Sequence, residues 1–306
     1  MVMQSQTPRP YIGRFAPSPT GPLHAGSLFA ALASYLDAKA SKGQWLLRIE
    51  DVDTLRNVEG ACEMIIQSLR NHGLNWDGDI LYQADKDIYY QTGLDQLARQ
   101  DKVYYCDCTR AKLREHPGPY PGFCRQNKKV AYTDASAHTP ASHAIRLHCG
   151  EQQYSFNDRV LGPQSFNIET LGDCILKRRD SLFAYQLAVV MDDAAQAVTH
   201  VVRGADLLES TAWQIALQLS LNLPPVNYAH LPVITLANSA QKLSKQTGAT
   251  ALNDQCANKN LLRALQQLNQ PLPLSPEQLS IEAIITWAIE HWDIERIRKN
   301  QDKSVD

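Results

Sequence analysis

A proline-rich turn near the N-terminus combines groups that could bind phosphate. Residues 17–22 (Pro-Ser-Pro-Thr-Gly-Pro) follow a strand-like run and precede a helix predicted over 27–40. Such a turn brings backbone N–H groups and the positive end of the helix dipole to one point, where phosphate oxygens bind well. Thr20 and His24 add side-chain donors, and Gly26 has no Cβ to keep a nucleotide from the backbone. Taken alone, the segment could equally be an ordinary loop, because short motifs often occur by chance.

A pair of lysines late in the chain offers a second way to bind phosphate. Lys242 and Lys245 lie three residues apart in the run Lys-Leu-Ser-Lys-Gln. Two such lysines on a loop can clamp a triphosphate and neutralise the charge that develops as pyrophosphate leaves. A solvated basic loop is the alternative. The order of the two motifs, an early His-x-Gly turn and a late Lys-x-Ser-Lys loop, is far more specific than either motif alone.

Three of the seven cysteines, Cys106, Cys108 and Cys124, lie within nineteen residues. The turn-rich segment between them suits a tetrahedral zinc site, which usually has four protein ligands. Spacing alone suggests His116 as the fourth ligand. The alternative is a set of reduced cysteines without a metal. An odd number of cysteines with this clustering favours a reducing compartment over a disulfide framework.

The segments that position these motifs alternate between strand-like and helix-like patterns. Strands are predicted at 11–16 and 44–49, and helices at 58–72 and 88–99, with turns between them. This order is typical of a parallel α/β sheet of the Rossmann type. Further along, the pattern predicts a helix over 183–193, a strand over 197–203 and a strongly amphipathic helix over 207–221 that contains Trp213, Ile215, Leu217 and Leu219.

The pattern changes at about residue 103 to short strands and turns that include the cysteine cluster. We therefore expect an α/β fold in which a Rossmann-like catalytic domain is split by a small zinc-containing α+β insertion. A short helical region follows, with helices over 260–268 and 276–298. The expected parts are residues 8–102 (first half of the catalytic domain), 103–180 (insertion), 181–250 (second half, with the Lys-Leu-Ser-Lys loop) and 251–306 (helical C-terminal region).

Composition limits the class of protein. With 306 residues, 44% of them hydrophobic, the chain is long enough for a buried core. No apolar run approaches the roughly 20 residues of a membrane span, and residues 1–10 carry no signal-peptide pattern, so we expect a cytoplasmic protein without membrane contact. A net charge of -2 gives no global signature of nucleic-acid binding, so any RNA contact must be local. Residues 125–129 and 177–179 are basic candidates for it, although both clusters could be solvated edges.

The two phosphate-binding candidates together resemble the signature motifs of class I aminoacyl-tRNA synthetases. The motifs are His24-Ala25-Gly26-Ser27 and Lys242-Leu243-Ser244-Lys245-Gln246. Residues 13–21, 47–53 and 202–208 are similar to the glutamyl branch of that family, and the resemblance extends to about residue 250. It implies that ATP, with Mg²⁺, activates L-glutamate to glutamyl-AMP and that a tRNA then accepts the glutamyl group. The catalytic and ATP-binding residues that it implies are His24, Lys242 and Lys245, with Thr20 and Gly26 also binding ATP.

The resemblance also implies where glutamate binds. It places Arg14 and Ser18 in the glutamate site, Glu50 near the α-amino group, and Tyr185 and Arg203 around the carboxylates. Glutamate carries two carboxylates and one ammonium, so its pocket needs both arginines and an anion, and a bidentate arginine suits a carboxylate best. A buried arginine should also reject glutamine by a factor on the order of 10⁴. Without the resemblance, these charges could be structural ion pairs.

The zinc ligands follow from the same resemblance. The family uses Cys-x-Cys, Tyr and Cys at this spacing, which makes Tyr120 the expected fourth ligand of a structural Zn²⁺, with His116 kept as the alternative. The signature motifs differ from the usual family residues at Ala25, Ser27, Leu243 and Gln246. Because the residues that handle phosphate are retained, we expect adenylate formation to be retained as well.

The acceptor is inferred from the C-terminal part of the chain. We expect no anticodon-binding domain of the size found in full glutamyl enzymes. Within the glutamyl branch, the sequence is most similar to the enzymes that transfer glutamate to queuosine in the anticodon of tRNA(Asp), and we expect that reaction from a monomer. A shortened enzyme that charges the 3′ end of tRNA(Glu) and a non-catalytic RNA-binding paralogue are the alternatives.

Overall fold

The computed structural model describes residues 9–125, 143–232 and 251–297. In chain order, residues 9–102 contain β1 (Ile12–Phe15), α1 (Ala25–Ala40), β2 (Gln44–Ile49), α2 (Ala61–Asn71), β3 (Leu81–Tyr82) and α3 (Asp87–Arg99). The middle segment, by which we mean the described residues between 103 and 177, contains β4 (Val103–Cys106), α4 (Arg110–Arg114), β5 (Ala144–Leu147), β6 (Gln153–Asp158), β7 (Gly162–Asn167), α5 (Ile168–Leu171) and β8 (Ile175–Lys177). The described residues after 177 contain α6 (Tyr185–Ala195), β9 (His200–Gly204), α7 (Ser210–Ser220), β10 (Asn227–Leu231), α8 (Ala257–Gln267) and α9 (Ile281–Glu290).

Parallel strands form the centre of the fold. β1 pairs with β2, β2 with β3, and β9 with β10. The backbone N–H of Thr199, just before β9, donates to the carbonyl of Ile12 in β1 at 2.9 Å, so β9 lies beside β1. The order β3-β2-β1-β9-β10 is that of the Rossmann fold, and the prediction of an α/β fold with a parallel sheet is confirmed. In such sheets ligands bind beyond the carboxyl ends of the strands where the order reverses, here between β1 and β9.

Local sequence signals explain where the first two helices begin. His24 caps α1, because its side chain accepts a hydrogen bond from the backbone N–H of Ser27. α2 begins at Ala61 rather than at residue 58, because Gly60 adopts a left-handed conformation with φ of 75° at the N-cap. β2 has the predicted bounds.

Two predicted helices differ from the structure. Residues 276–278 form a separate 3₁₀ turn and Ser280 caps α9, so the predicted helix over 276–298 is interrupted. The helix predicted over 207–221 is observed as α7 over Ser210–Ser220, and its apolar residues are not buried alike, since Leu217 is fully buried but Leu219 is 64% exposed. Residues two apart point to opposite sides of a helix, so the alternating apolar residues cannot share one face.

The middle segment is antiparallel, in agreement with the change of pattern at residue 103. β4, β5 and β8 form one sheet, and β6 and β7 form a hairpin. The hairpin packs on the parallel sheet, because the backbone N–H of Arg159 donates to the carbonyl of Tyr228 in β10 at 2.9 Å. The guanidinium of Arg159 also pairs with Asp37 of α1. The proposed division of the chain into domains stays a prediction.

The C-terminal helices complete the core of the parallel-sheet unit. Leu261 and Leu265 of α8 and Ile284 of α9 belong to the same buried cluster as Leu32 of α1. The indole N–H of Trp292, just after α9, donates to Asp37 at 3.0 Å. None of the helices in the described ranges combines the length and the apolar character that crossing a membrane requires.

Candidate active site

The five side chains predicted to bind glutamate meet at the reversal of strand order. Arg14 lies near the carboxyl end of β1, Arg203 near that of β9, and Glu50 directly after β2. A cavity of about 250 Å³ opens there, and its lining includes Ser18, Glu50 and Tyr185. Arg203 reaches this lining because its Nη1 donates to the hydroxyl of Tyr185 at 3.3 Å. The structure therefore brings the predicted set into one site.

Asp193 of α6 holds two arginines beneath this cavity. Its Oδ1 accepts from Arg48 Nη2 at 2.6 Å and from Arg14 Nε at 3.3 Å. Burial acts to raise the pKa of Asp193, but Arg48 and Arg14 lower it below its usual range, so the carboxylate is ionised. Among the described residues, the two terminal nitrogens of Arg14 have no hydrogen-bond partner. Arg14 can thus present a bidentate edge to a ligand carboxylate.

Glu50 supplies a negative charge to the same cavity. Its side chain is buried, its Oε1 has no hydrogen-bond partner among the described residues, and Arg48 Nη2 lies 3.7 Å from that oxygen. Burial raises the pKa of Glu50 to about 7, although Arg48 and Arg14 lower it. An unsatisfied buried carboxylate of this kind is a site for a ligand cation such as an ammonium.

The guanidinium of Arg203 is largely occupied by the protein itself. Nε donates to His230 Nε2 at 3.1 Å, and Nη2 donates to Thr211 Oγ1 at 2.8 Å and to the carbonyl of Leu207 at 3.4 Å. With the bond to Tyr185, four of its five N–H groups are engaged within the described part of the chain. Arg203 therefore offers a carboxylate one N–H rather than the expected bidentate edge. The hydroxyl of Tyr185 accepts from Arg203 and can donate its own hydrogen to the same carboxylate.

The predicted phosphate-binding turn lies beside this cavity at the N-terminus of α1. The backbone N–H of Gly26 in the first helical turn has no intrahelical acceptor, so it can bind an anion. The His24 ring faces Ser27, with Nδ1 3.3 Å from the Ser27 N and Nε2 3.1 Å from its Oγ. Thr20 is half-buried in the preceding turn. Lys242 and Lys245 lie outside the described residues.

The cysteine cluster is brought together as predicted. The sulfurs of Cys106, Cys108 and Cys124 all lie within 4.8 Å of one another. The hydroxyl of Tyr120 lies 3.5 Å from Cys106 Sγ and 3.7 Å from Cys108 Sγ. His116, the alternative fourth ligand, is instead exposed and packs on the Phe123 ring.

The two basic clusters considered for RNA contact are engaged within the protein. Lys177 Nζ donates to Gln91 Oε1 at 3.0 Å. Arg178 pairs with Asp53 and Asp180, and Arg179 donates to the carbonyl of Asp107. Arg125 pairs with Asp173, and residues 126–129 lie outside the described ranges. RNA contact by these clusters stays a prediction.

Sequence reasoning missed several residues that shape the site. Arg48 lies at the end of an apolar strand and Asp193 lies in an apolar helix, so a charge in a core segment was the available signal. Asp158 and His230 carried no such signal, because they are 72 residues apart and meet only in the fold.

Comparison with known proteins agrees with this geometry. A family model described as tRNA synthetases class I (E and Q), catalytic domain, matches residues 12–269. The chain is 45% identical over 299 residues to a glutamyl-Q tRNA(Asp) synthetase of Serratia proteamaculans, covering 97% of this chain and 95% of that protein. It is 47% identical over 297 residues to the protein of the same name from Thiobacillus denitrificans, covering 95% and 96%.

Among solved structures, a glutamate-tRNA synthetase from Elizabethkingia anophelis is similar with a TM-score of 0.79 and 25% identity. That match covers 95% of this chain and 67% of the other. The bounds of the family model, residues 12–269, include the parallel strands and the elements inserted between them. The chain belongs to the class I tRNA synthetases of the E and Q type, that is, those for glutamate and glutamine.

Proposed function

We propose that this protein activates L-glutamate with ATP to glutamyl-AMP and transfers the glutamyl group to queuosine in the anticodon of tRNA(Asp). The observation that carries the proposal is the match, at 45% and 47% identity and over nearly the full length, to two proteins named glutamyl-Q tRNA(Asp) synthetase. The enzyme is a ligase of the aminoacyl-tRNA synthetase type. We also propose that the enzyme is a monomer. It would act in the cytoplasm, where ATP and tRNA are found.

The charges of the cavity match those of glutamate. The terminal nitrogens of Arg14 bind one carboxylate, and Tyr185 together with Arg203 binds the other, while Ser18 lines the cavity between them and the nucleotide. Glu50 binds the ammonium, because its carboxylate lines the cavity. A neutral amide in place of the side-chain carboxylate would leave the buried arginine without its anion, so glutamine should be a poor substrate.

ATP binds at the N-terminus of α1 in this proposal. The first-turn N–H of Gly26 holds phosphate together with Thr20 and His24. Lys242 and Lys245 stabilise the charge on the leaving pyrophosphate while a glutamate carboxylate oxygen attacks the α-phosphorus. Mg²⁺, when bound, screens the triphosphate. The described structure resumes at Ala251, six residues after Lys245. Ala251 forms a β-bridge with His24.

Zn²⁺ fits the cysteine cluster in its spacing. Zn–S bonds of about 2.3 Å and a Zn–O bond of about 2.0 Å in a tetrahedron put sulfurs about 3.8 Å apart and oxygen about 3.5 Å from sulfur. Cys108 Sγ and Cys124 Sγ are 3.6 Å apart, and the Tyr120 hydroxyl lies 3.5 Å from Cys106 Sγ. We therefore propose Cys106, Cys108, Cys124 and Tyr120 as ligands of a structural zinc in an insertion at 103–180, with 8–102 and 181–250 as the two halves of the catalytic domain.

The test is transfer of labelled glutamate, with ATP and Mg²⁺, onto tRNA from cells that contain or lack queuosine. We expect label only on the queuosine-containing tRNA, and we expect labelling to survive removal of the 3′-terminal adenosine, which eliminates the usual charging site. Equal labelling of both tRNA pools, lost on trimming, would instead identify a shortened enzyme that charges the 3′ end.

Glutamate-dependent pyrophosphate exchange reports the first step. Glu50→Ala should abolish it, whereas the matched variant Glu63→Ala, at an exposed position of α2, should retain it. Absence of exchange by the wild-type enzyme in the presence of tRNA would favour the RNA-binding paralogue. Replacement of glutamate by glutamine serves as the specificity control.

A further inference from the structure

A buried aspartate and histidine lie directly behind the arginine that faces the substrate. Asp158 ends β6, His230 lies in β10, and their side chains are 1% and 0% exposed. Asp158 Oδ2 lies 2.6 Å from His230 Nδ1, and His230 Nε2 lies 3.1 Å from Arg203 Nε. We propose that Asp158 and His230 are positioning residues that fix the guanidinium of Arg203 in the orientation that binds glutamate. The inference rests on the proposed function.

The state of Asp158 follows from its hydrogen bonds. Its Oδ1 accepts from the backbone N–H groups of Val160 and Leu161, each at 2.9 Å, and both oxygens lie 3.1 Å from the N–H of His230. Burial acts to raise the pKa of Asp158, but these bonds lower it below its usual range. A carboxylate that accepts so many hydrogen bonds is ionised and can only accept from His230 Nδ1.

This fixes the tautomer of His230. Because Nδ1 carries the hydrogen that Asp158 accepts, Nε2 of the neutral ring is left with a lone pair. Burial lowers the pKa of His230, which keeps the ring neutral although Asp158 raises that pKa. The lone pair accepts from Arg203 Nε, a group that always carries its hydrogen. The opposite tautomer would set Nε2–H against the Nε–H of Arg203 and would leave it only Thr211 Oγ1, 3.1 Å from Nε2, as an acceptor.

The orientation of Arg203 depends on that acceptor. With Nε held by His230 and Nη2 held by Thr211, the planar guanidinium has one arrangement, which turns Nη1 towards Tyr185 and the cavity. Without the acceptor, Arg203 would rotate or pair elsewhere, and the carboxylate would lose its N–H. Asp158 belongs to the β6 and β7 hairpin, so this hairpin is also tied to recognition of glutamate.

The alternative is a buried pair that stabilises only the fold, and Asp158→Asn separates the two. An asparagine can still accept from the backbone, but its amide N–H donates to His230 Nδ1. The ring hydrogen then moves to Nε2, where it faces the Nε–H of Arg203 instead of accepting from it. In pyrophosphate exchange we expect the KM for glutamate to rise about 10- to 100-fold, the range expected for losing a hydrogen bond to a charged group, with the KM for ATP unchanged within about twofold. An equal rise in both KM values, or none, would overturn the proposal.

A second pair of variants covers the case in which Asp158→Asn does not fold. His230→Gln can place a carbonyl oxygen near the former Nε2, whereas His230→Leu has no acceptor. We expect the glutamine variant to keep a KM for glutamate within about tenfold of wild type and the leucine variant to exceed it, because only the former can accept from Arg203. Equal KM values for the two variants would contradict the positioning role.

Asp173→Asn is the matched control. Asp173 is also a buried carboxylate, in the same middle segment, but it accepts from Tyr104 and Arg125 rather than from the His230 chain. It should lower the melting temperature without a selective change in the KM for glutamate. If the wild-type enzyme shows no glutamate-dependent exchange at all, the proposed function fails; exchange by the wild type with unaltered KM in the Asp158 and His230 variants refutes the positioning role alone.

Discussion

At the scale of single residues, the buried charge of Glu50 serves ligand binding but lowers the stability of the fold. The side chain is buried and its Oε1 is unpaired among the described residues. Because burial raises the pKa of Glu50 to about 7 from a usual value near 4.5, the folded chain keeps a proton that the unfolded chain releases between those values. The contribution of Glu50 to the free energy of unfolding is therefore present below about pH 4.5 and is lost as the pH rises through about 7.

Glu50→Gln tests this opposition. At pH 8 we expect the variant to have a free energy of unfolding about 1–3 kcal/mol higher than wild type, because a pKa shift of one unit corresponds to about 1.4 kcal/mol. At pH 4, below the unfolded pKa, the two should be nearly equal, and the KM for glutamate should rise because the ammonium loses its anion. Urea unfolding at both pH values measures the difference, with the exposed Glu63→Gln as the control. A variant less stable than wild type at pH 8 would contradict the argument.

The same residues show how far sequence reasoning reached. Arg14, Glu50 and Arg203 could be assigned because a known family uses charges in those motifs, and each lies near the end of a strand that the pattern predicted. The partners that hold them, Asp193 and His230, could not be assigned, because their roles arise from contacts between elements far apart in the chain. The sequence likewise could not show that most N–H groups of Arg203 are hydrogen-bonded within the protein.

At the scale of elements, the parallel strands and their helices were predictable and their ends less so. Apolar runs and turn residues gave β2 within its observed bounds, whereas Gly60 and Ser280 set helix starts through backbone conformation and capping. The side of α7 that is buried could not be read from alternating apolar residues. Burial on that helix depends on its contacts with α6 and β6.

The segment around the cysteines depends on its ligands more than on a large core. Its buried cluster has only six members, the three cysteines with Tyr104, Tyr120 and Ala144. We expect about one zinc per chain, lost in Cys124→Ala together with about 5 °C or more of melting temperature, because a structural zinc contributes directly to folding. Metal analysis and thermal melting measure both effects.

Cys256→Ala is the matched control for the zinc prediction. Cys256 is a partly buried cysteine at the start of α8 and belongs to no cluster of metal ligands among the described residues. This variant should keep its zinc and its melting temperature. A wild-type protein that binds no zinc when it is purified with the metal supplied would leave the cluster as reduced cysteines.

At the scale of the whole molecule, the C-terminal helices determine whether the catalytic unit is stable. Leu265 of α8 is 1% exposed and packs in the cluster that contains the core residues of α1. Leu265→Ala should lower the free energy of unfolding by about 2–5 kcal/mol, because the cavity is not refilled. Since α1 also carries the phosphate-binding turn, activity and global structure should be lost at the same lower temperature, which circular dichroism and pyrophosphate exchange can measure in parallel.

The comparison with an exposed leucine makes that prediction decisive. Leu274, between the same two helices, is 93% exposed, so Leu274→Ala should change the free energy of unfolding by no more than about 0.5 kcal/mol. If Leu265→Ala instead produced a separate low-temperature transition with activity unchanged, α8 and α9 would be an independent unit. A single shifted transition follows from a core that the parallel sheet, α1 and the C-terminal helices share, so that substrate binding at one end of α1 depends on packing along its whole length.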